Sequence, residues 1–183
     1  LLPETLPQKF KNSNKNLEYF ISRRALAKLM NRPEIYDTLE LVAHHKVELF
    51  PEMTFSLAHT KEMVLAICAP IKDFIGLGCD LELKTRKFPA RAESHFMNNK
   101  DNTSYGKLTT WCIKEACFKA LSNAGKSIKY LKEVQINNDH FCKKNDEQEL
   151  EKNSFLILPH QDYIIVMAFC CKKMATVELE EHI

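Results

Sequence analysis

The sequence predicts an α+β fold built from two similar halves, residues 1–85 and 86–183, meeting near residues 83–90. Three observations lead there. Two segments, 17–30 and 108–125, carry apolar residues at helical spacing. Several short apolar or alternating runs bounded by turn residues read as strands. The order helix, strand, strand also recurs: a helix, "EMVLAICAP" and "GLGCDLE", then a helix, "DYIIVMAFCC" and "ATVELE".

Taken in order, residues 1–16 are polar and punctuated by proline, and read as an irregular arm. Leu17, Phe20, Ile21, Ala25, Leu26 and Leu29 then fall on one helical stripe, with Pro33 just beyond it. "DTLELVAHHKVELF" (37–50) fits either a short helix or a connecting strand. "TFSLAHT" and "EMVLAICAP" read as two strands meeting at a turn, and "FIGLGCDLEL" (74–83) as a third. A short helix is expected around Ala90–Met97, followed by a polar loop at "NNKDNTSYGK". "LTTWCIKEACFKALSNAG" (108–125) reads as a helix started by a threonine cap and stopped by left-handed Gly125. Strands are expected at 134–136, 155–158 and 163–171, with the charged 143–153 as a solvated connection.

Composition excludes several classes of function. The chain has 183 residues, 45% apolar and 27% charged, in the range of an ordinary globular protein. A net charge of +2 gives no argument for nucleic acid. The longest apolar run, "YIIVMAFCC", is well short of a membrane span, and no signal-peptide pattern opens the sequence. The seven cysteines include no C-x-x-C pair, and an odd number cannot all pair within the chain. Reduced thiols packed as small hydrophobes, in a cytoplasmic protein, are the expectation.

The residues that invite chemistry begin with Asp80 and Glu82. Alternate residues of a strand share a face, so these carboxylates project side by side and raise each other's pKa unless a cation or several donors intervene. Glu115 and Lys119 lie one turn apart on the 108–125 helix. That spacing is also the spacing of an ordinary surface ion pair, but Trp111, Phe118 and Ala120 mark the helix as largely buried. If Glu115 lay against the end of the 74–83 strand, three carboxylates would converge, a hard oxygen set suited to Mg²⁺ rather than zinc or copper.

"GLGCDLE" followed by "WCIKEACFKAL" resembles the two-part signature of the 4′-phosphopantetheinyl transferases. "FSLAHT" is similar to that family's Ser-His-Ser segment, Lys46 to its upstream lysine, and "RRALAKLM" to its arginine-bearing helix. The depth of Asp80 in the chain resembles the monomeric, two-halves surfactin- and enterobactin-synthetase type. The resemblance implies halves related by a pseudo-twofold, with the active site in the cleft between them. It implies transfer of the phosphopantetheine arm of coenzyme A to a serine of an acidic acyl or peptidyl carrier protein, leaving 3′,5′-ADP. Asp80, Glu82 and Glu115 would hold Mg²⁺, and Glu115 would help deprotonate the serine. Lys119 would contact the phosphate and assist the departing oxygen. Arg24, Lys46, His59 and Thr60 would bind coenzyme A. No role follows for Lys114.

Two positions depart from the family pattern. Ala58 stands where a serine is usual, and Val47 where a proline is. Ala58 and a short link between the two motifs leave a second reading, a non-catalytic relative that binds coenzyme A or a carrier protein. The basic run Lys84, Arg86, Lys87 and Arg91 is the expected contact for an acidic partner.

Overall fold

A computed structural model describes residues 14–35, 41–42, 46–47, 49–60, 62–89, 91–146, 148 and 153–172. The elements are α1 (Asn14–Leu29), β1 (Leu41–Val42), β2 (Lys46–Val47), β3 (Met53–His59), β4 (Val64–Pro70), β5 (Phe74–Leu83), α2 (Glu93–Phe96), α3 (Lys107–Asn123), β6 (Val134–Asn137), β7 (His140–Lys143), β8 (Asn153–Leu158) and β9 (Tyr163–Cys171). The fold is mixed α and β, and every named strand pair is antiparallel.

β3 and β4 form a hairpin, and β5 through β9 form a five-stranded sheet in the order β5-β9-β8-β7-β6. Strand alternation decides what packs where. Phe55, Leu57, Ala66 and Cys68 of the hairpin face α1, meeting Leu26 and Ala27. The alternate residues Ala58, Leu65 and Ile67 face the sheet, meeting Cys79, Leu81, Tyr163 and Ile165. The opposite face of the sheet carries Val134, Ile136, Phe141, Phe155, Ile164, Val166 and Ala168, which bury Ile113, Ala116, Cys117, Ala120 and Leu121 of α3. The layers therefore run α1, hairpin, sheet, α3.

β5 and α3 approach closely because the strand offers no side chain where the helix crosses. A Cβ on Gly78 would stand 1.9 Å from the Ala116 carbonyl oxygen, and one on Gly76 would stand 2.1 Å from that of Ala120. Two strand residues forward thus match one helical turn backward, so α3 runs antiparallel to β5.

Four expectations are corrected. No threonine caps α3. The helix begins after Gly106 with no side-chain cap, and the Thr110 hydroxyl instead donates to the Tyr105 carbonyl at 3.2 Å. The short helix is only Glu93–Phe96. The strand His140–Lys143 was not anticipated at all; it closes on β6 through a two-residue loop whose Asn138 adopts φ 54°. Gly125 takes the expected left-handed conformation at φ 79°. All seven cysteines are free. Of residues 37–50, the described parts are the strands β1 and β2 and the turn from Leu49. Of the arm expected at 1–16, Asn14–Asn16 instead begin α1; residues 1–13 and the segment "ATVELE" lie outside the described residues.

Candidate functional site

The even-numbered residues of β5 face α3, so the glycines that admit the helix are followed, on the same face, by Asp80 and Glu82. Asp80 is buried, at 9% exposure. Its Oδ1 accepts from Lys119 Nζ at 2.9 Å, and the same ammonium donates to the Cys79 carbonyl at 2.8 Å. Its Oδ2 is buried and has no partner. The nearby Cys112 thiol directs its S–H at the Ile164 carbonyl, at 3.8 Å. Burial first, and then Asp80, push that thiol far up.

Glu82 pairs with Arg86, which a turn just past β5 brings back onto it. Burial raises the Glu82 carboxyl; Asp80 adds to the rise and Arg86 opposes it. Glu115 is raised in the same way, by burial first and then by Asp80 and Glu82, with Lys119 and Arg86 opposing. Lys119 is raised too, which for an amine favours the charged form. Burial disfavours its ammonium, but Asp80, Cys79 and Glu115 outweigh that and hold it protonated. The ammonium therefore acts as a donor and fixed charge, while Glu115 is shifted toward the range useful for a general base.

Asp80, Glu82, Glu115 and Lys119 thus form one electrostatic group. Among the described residues, no three His, Cys, Asp or Glu side chains stand together as metal ligands. The cations beside the carboxylates are the chain's own Lys119 and Arg86. The oxygens that could hold a hard divalent ion are Asp80 Oδ2, buried with no hydrogen-bond partner, and those of Glu115, raised chiefly by burial.

The remaining expected residues lie apart from this group. Thr60 shapes the β3–β4 turn, where its hydroxyl accepts from the backbone N–H groups of Met63 (3.1 Å) and Glu62 (3.3 Å). His59 is exposed at the end of β3, opposite Val64. The Tyr163 hydroxyl donates to Glu62 Oε2 at 3.4 Å, and Tyr163 pairs with Leu83. The turn carrying His59 and Thr60 is therefore at the same end of the sheet as Glu82. Arg24 is half-buried on α1, across the hairpin from the sheet, with its guanidinium 6.0 Å from the Phe20 ring centroid. Lys46 is on β2, and its side chain lies outside the described residues. Ala58 points into the core, at 4% exposure.

Two cavities flank Tyr163 at that end. One, of about 330 Å³, is bounded by Lys84, Thr109, Leu158, His160 and Ile164. The other, of about 310 Å³, is bounded by Glu62, Leu83, Thr85 and Asp162. Ile164 is the cross-strand partner of Glu82, so the first cavity opens beside the carboxylates without being lined by them.

Lys114 and Trp111 serve the framework. Lys114 is wholly buried, its Nζ 2.6 Å from Asp101 Oδ2 and 2.7 Å from the Val134 carbonyl. Asp101 also accepts from the backbone N–H groups of Asn98 and Ile136, so the pair ties the 98–102 loop and β6 to α3. Trp111 packs edge-on against Phe88 and Phe96, anchoring the segment after β5.

Sequence reasoning missed Arg86 as a partner of Glu82, and missed Ser56 and Asn123. The Ser56 hydroxyl accepts from Cys79 N–H at 3.0 Å, and Asn123 Nδ2 donates to the Leu77 carbonyl at 2.6 Å. No family model matches the chain. No curated protein matches it either.

Proposed function

We propose that the chain is a monomeric, cytoplasmic 4′-phosphopantetheinyl transferase with two halves related by a pseudo-twofold and its active site in the cleft between them. It moves the phosphopantetheine arm of coenzyme A to a serine of an acidic carrier protein. One observation carries the reading: the buried, unpartnered Asp80 Oδ2 beside Glu82, Glu115 and a protonated Lys119. The layering, with one helix on the outer face of each sheet, supports the two-halves part. That no described helix is long and apolar enough to cross a membrane accords with it.

In this reading Asp80, Glu82 and Glu115 would hold Mg²⁺, which when bound would neutralise charge on the pyrophosphate of coenzyme A. Glu115 accepts the serine proton, directly or through water. The serine oxygen bonds to the phosphorus that carries the pantetheine arm, and that phosphorus loses its bond to the bridging oxygen of 3′,5′-ADP. Lys119 stabilises the charge that gathers on the departing oxygen. Arg24, Lys46, His59 and Thr60 bind coenzyme A phosphates; the Thr60 hydroxyl accepts from two backbone N–H groups and donates its own O–H to the phosphate. Of the basic run offered to the carrier, Lys87 and Arg91 are the exposed members with no described partner; Lys84 bonds the His160 carbonyl and Arg86 holds Glu82.

The inward direction of Ala58 favours a second reading, a non-catalytic relative that binds coenzyme A or a carrier, because that position supplies no hydroxyl to a phosphate. Intact-mass spectrometry separates the two. An apo acyl carrier protein incubated with this protein, coenzyme A and Mg²⁺ should gain one phosphopantetheine, and should gain none with Glu115→Gln. Coenzyme A binding without mass gain on any of several carriers would replace the first reading with the second.

A further inference from the structure

Arg86 occupies a defined place in the carboxylate group. Its backbone N–H bonds the Leu83 carbonyl at 2.9 Å, closing a turn at the end of β5. Two residues on, Phe88 is pinned by Trp111 and Phe96, with ring centroids 5.6 and 5.5 Å away. The backbone of Arg86 is therefore held on both sides, which sets its guanidinium against Glu82, whose side chain is 13% exposed, while the arginine side chain remains 46% exposed. Its charge also reaches Glu115.

Resting on the metal-binding reading above, we propose that Arg86 is a latch: it holds Glu82 in the metal-free protein and competes with the divalent ion for that carboxylate. Lys119 blocks only Oδ1 of Asp80 and leaves Oδ2 open. Glu82 is the carboxylate an arriving ion must take from an arginine. With both chain cations in place, three carboxylates face two positive charges. Releasing Arg86 restores to the ion the charge it needs and frees a guanidinium at the rim, where an anionic substrate arrives.

Mn²⁺ serves as the probe, with free ion counted by electron paramagnetic resonance at fixed ionic strength. The proteins compared are the unsubstituted chain, Arg86→Ala and Lys87→Ala. Lys87 is exposed and removes the same formal charge without touching Glu82. Arg86→Ala should bind Mn²⁺ about two- to fivefold more tightly, the range expected for losing one partly exposed ion pair, and Lys87→Ala should change little. Binding by Arg86→Ala alone would also support the latch. Equal or weaker binding by Arg86→Ala, or an equal gain in Lys87→Ala, would overturn it and leave the metal site standing. No Mn²⁺ binding by any of the three would overturn the metal reading and the latch together. Circular dichroism confirms that each variant is folded.

Discussion

The α-carbon of Gly78 lies so close to α3 that a methyl group there would stand 1.9 Å from the Ala116 carbonyl oxygen and 2.6 Å from the Ala120 nitrogen. Both obstacles are backbone and cannot rotate away. Gly78→Ala must therefore push helix and strand apart, at a cost of about 1–3 kcal/mol for overpacking. That displacement separates Glu115 and Lys119 from Asp80. Urea unfolding should show the stability loss, and carrier modification should fall more than the folded fraction does.

Glu115→Gln should stabilise the metal-free protein at neutral pH. Burial, Asp80 and Glu82 raise this carboxyl above its ordinary value of 4.5, so the folded chain favours the neutral form. Stability is then lost as pH rises from 4.5 through the raised value, and the amide escapes that loss. A gain of about 2–4 °C in Tm, the equivalent of roughly 1 kcal/mol in a chain of this size, is expected at neutral pH. It should vanish below 4.5, where folded and unfolded forms are both protonated. A gain independent of pH would contradict the assigned cause. Added Mg²⁺ should raise the Tm of the unsubstituted protein and not that of the variant.

Lys114→Met leaves Asp101 buried without its cation and should cost about 3–5 kcal/mol. Adding Asp101→Asn should recover part of that loss, which a double-mutant cycle of denaturant melts would measure. If Lys114→Met melted like the parent and lost only activity, the framework role given to this lysine would be wrong.

Thiol labelling offers an independent check. Cys68 and Cys171 are partly exposed, and the other five cysteines are buried. Burial pushes Cys79 up to about 11 and raises Cys117 well above its ordinary value. Two thiols should react in the native protein near pH 8, and all seven after unfolding. Rapid reaction of Cys112 or Cys117, located by peptide mapping, would mean that the packing of α3 on the sheet opens.

The parts of the fold legible in the sequence were those with strong periodicity. β3, β4, β5 and β9 announce themselves by apolar runs between turns, and α3 by its stripe and by Gly125. β7 was hidden because its four residues precede the charged run from Lys143, although the Asn138–Asp139 pair before it is a hairpin signal. At the site, strand alternation paired Asp80 with Glu82 and helical spacing paired Glu115 with Lys119, while their convergence hung on the helix lying against the strand and on the family resemblance. They could not say that Lys119 would choose Asp80 over Glu115, since that choice depends on the depth to which the glycines admit the helix. Nor could they find Asp101, a carboxylate in a polar loop that reads as solvated until β6 and α3 close over it.

Among the described residues β5 is hydrogen-bonded to no strand but β9, so backbone groups on its other side look to side chains for partners. Side chains close part of that border: Asn123 on the Leu77 carbonyl, Ser56 on the Cys79 N–H and Lys119 on the Cys79 carbonyl. Lys119 thus satisfies the buried border of β5 as well as placing a charge beside Asp80. Replacing it with methionine would leave the buried Cys79 carbonyl without its donor, and urea unfolding should show a loss of about 1–3 kcal/mol.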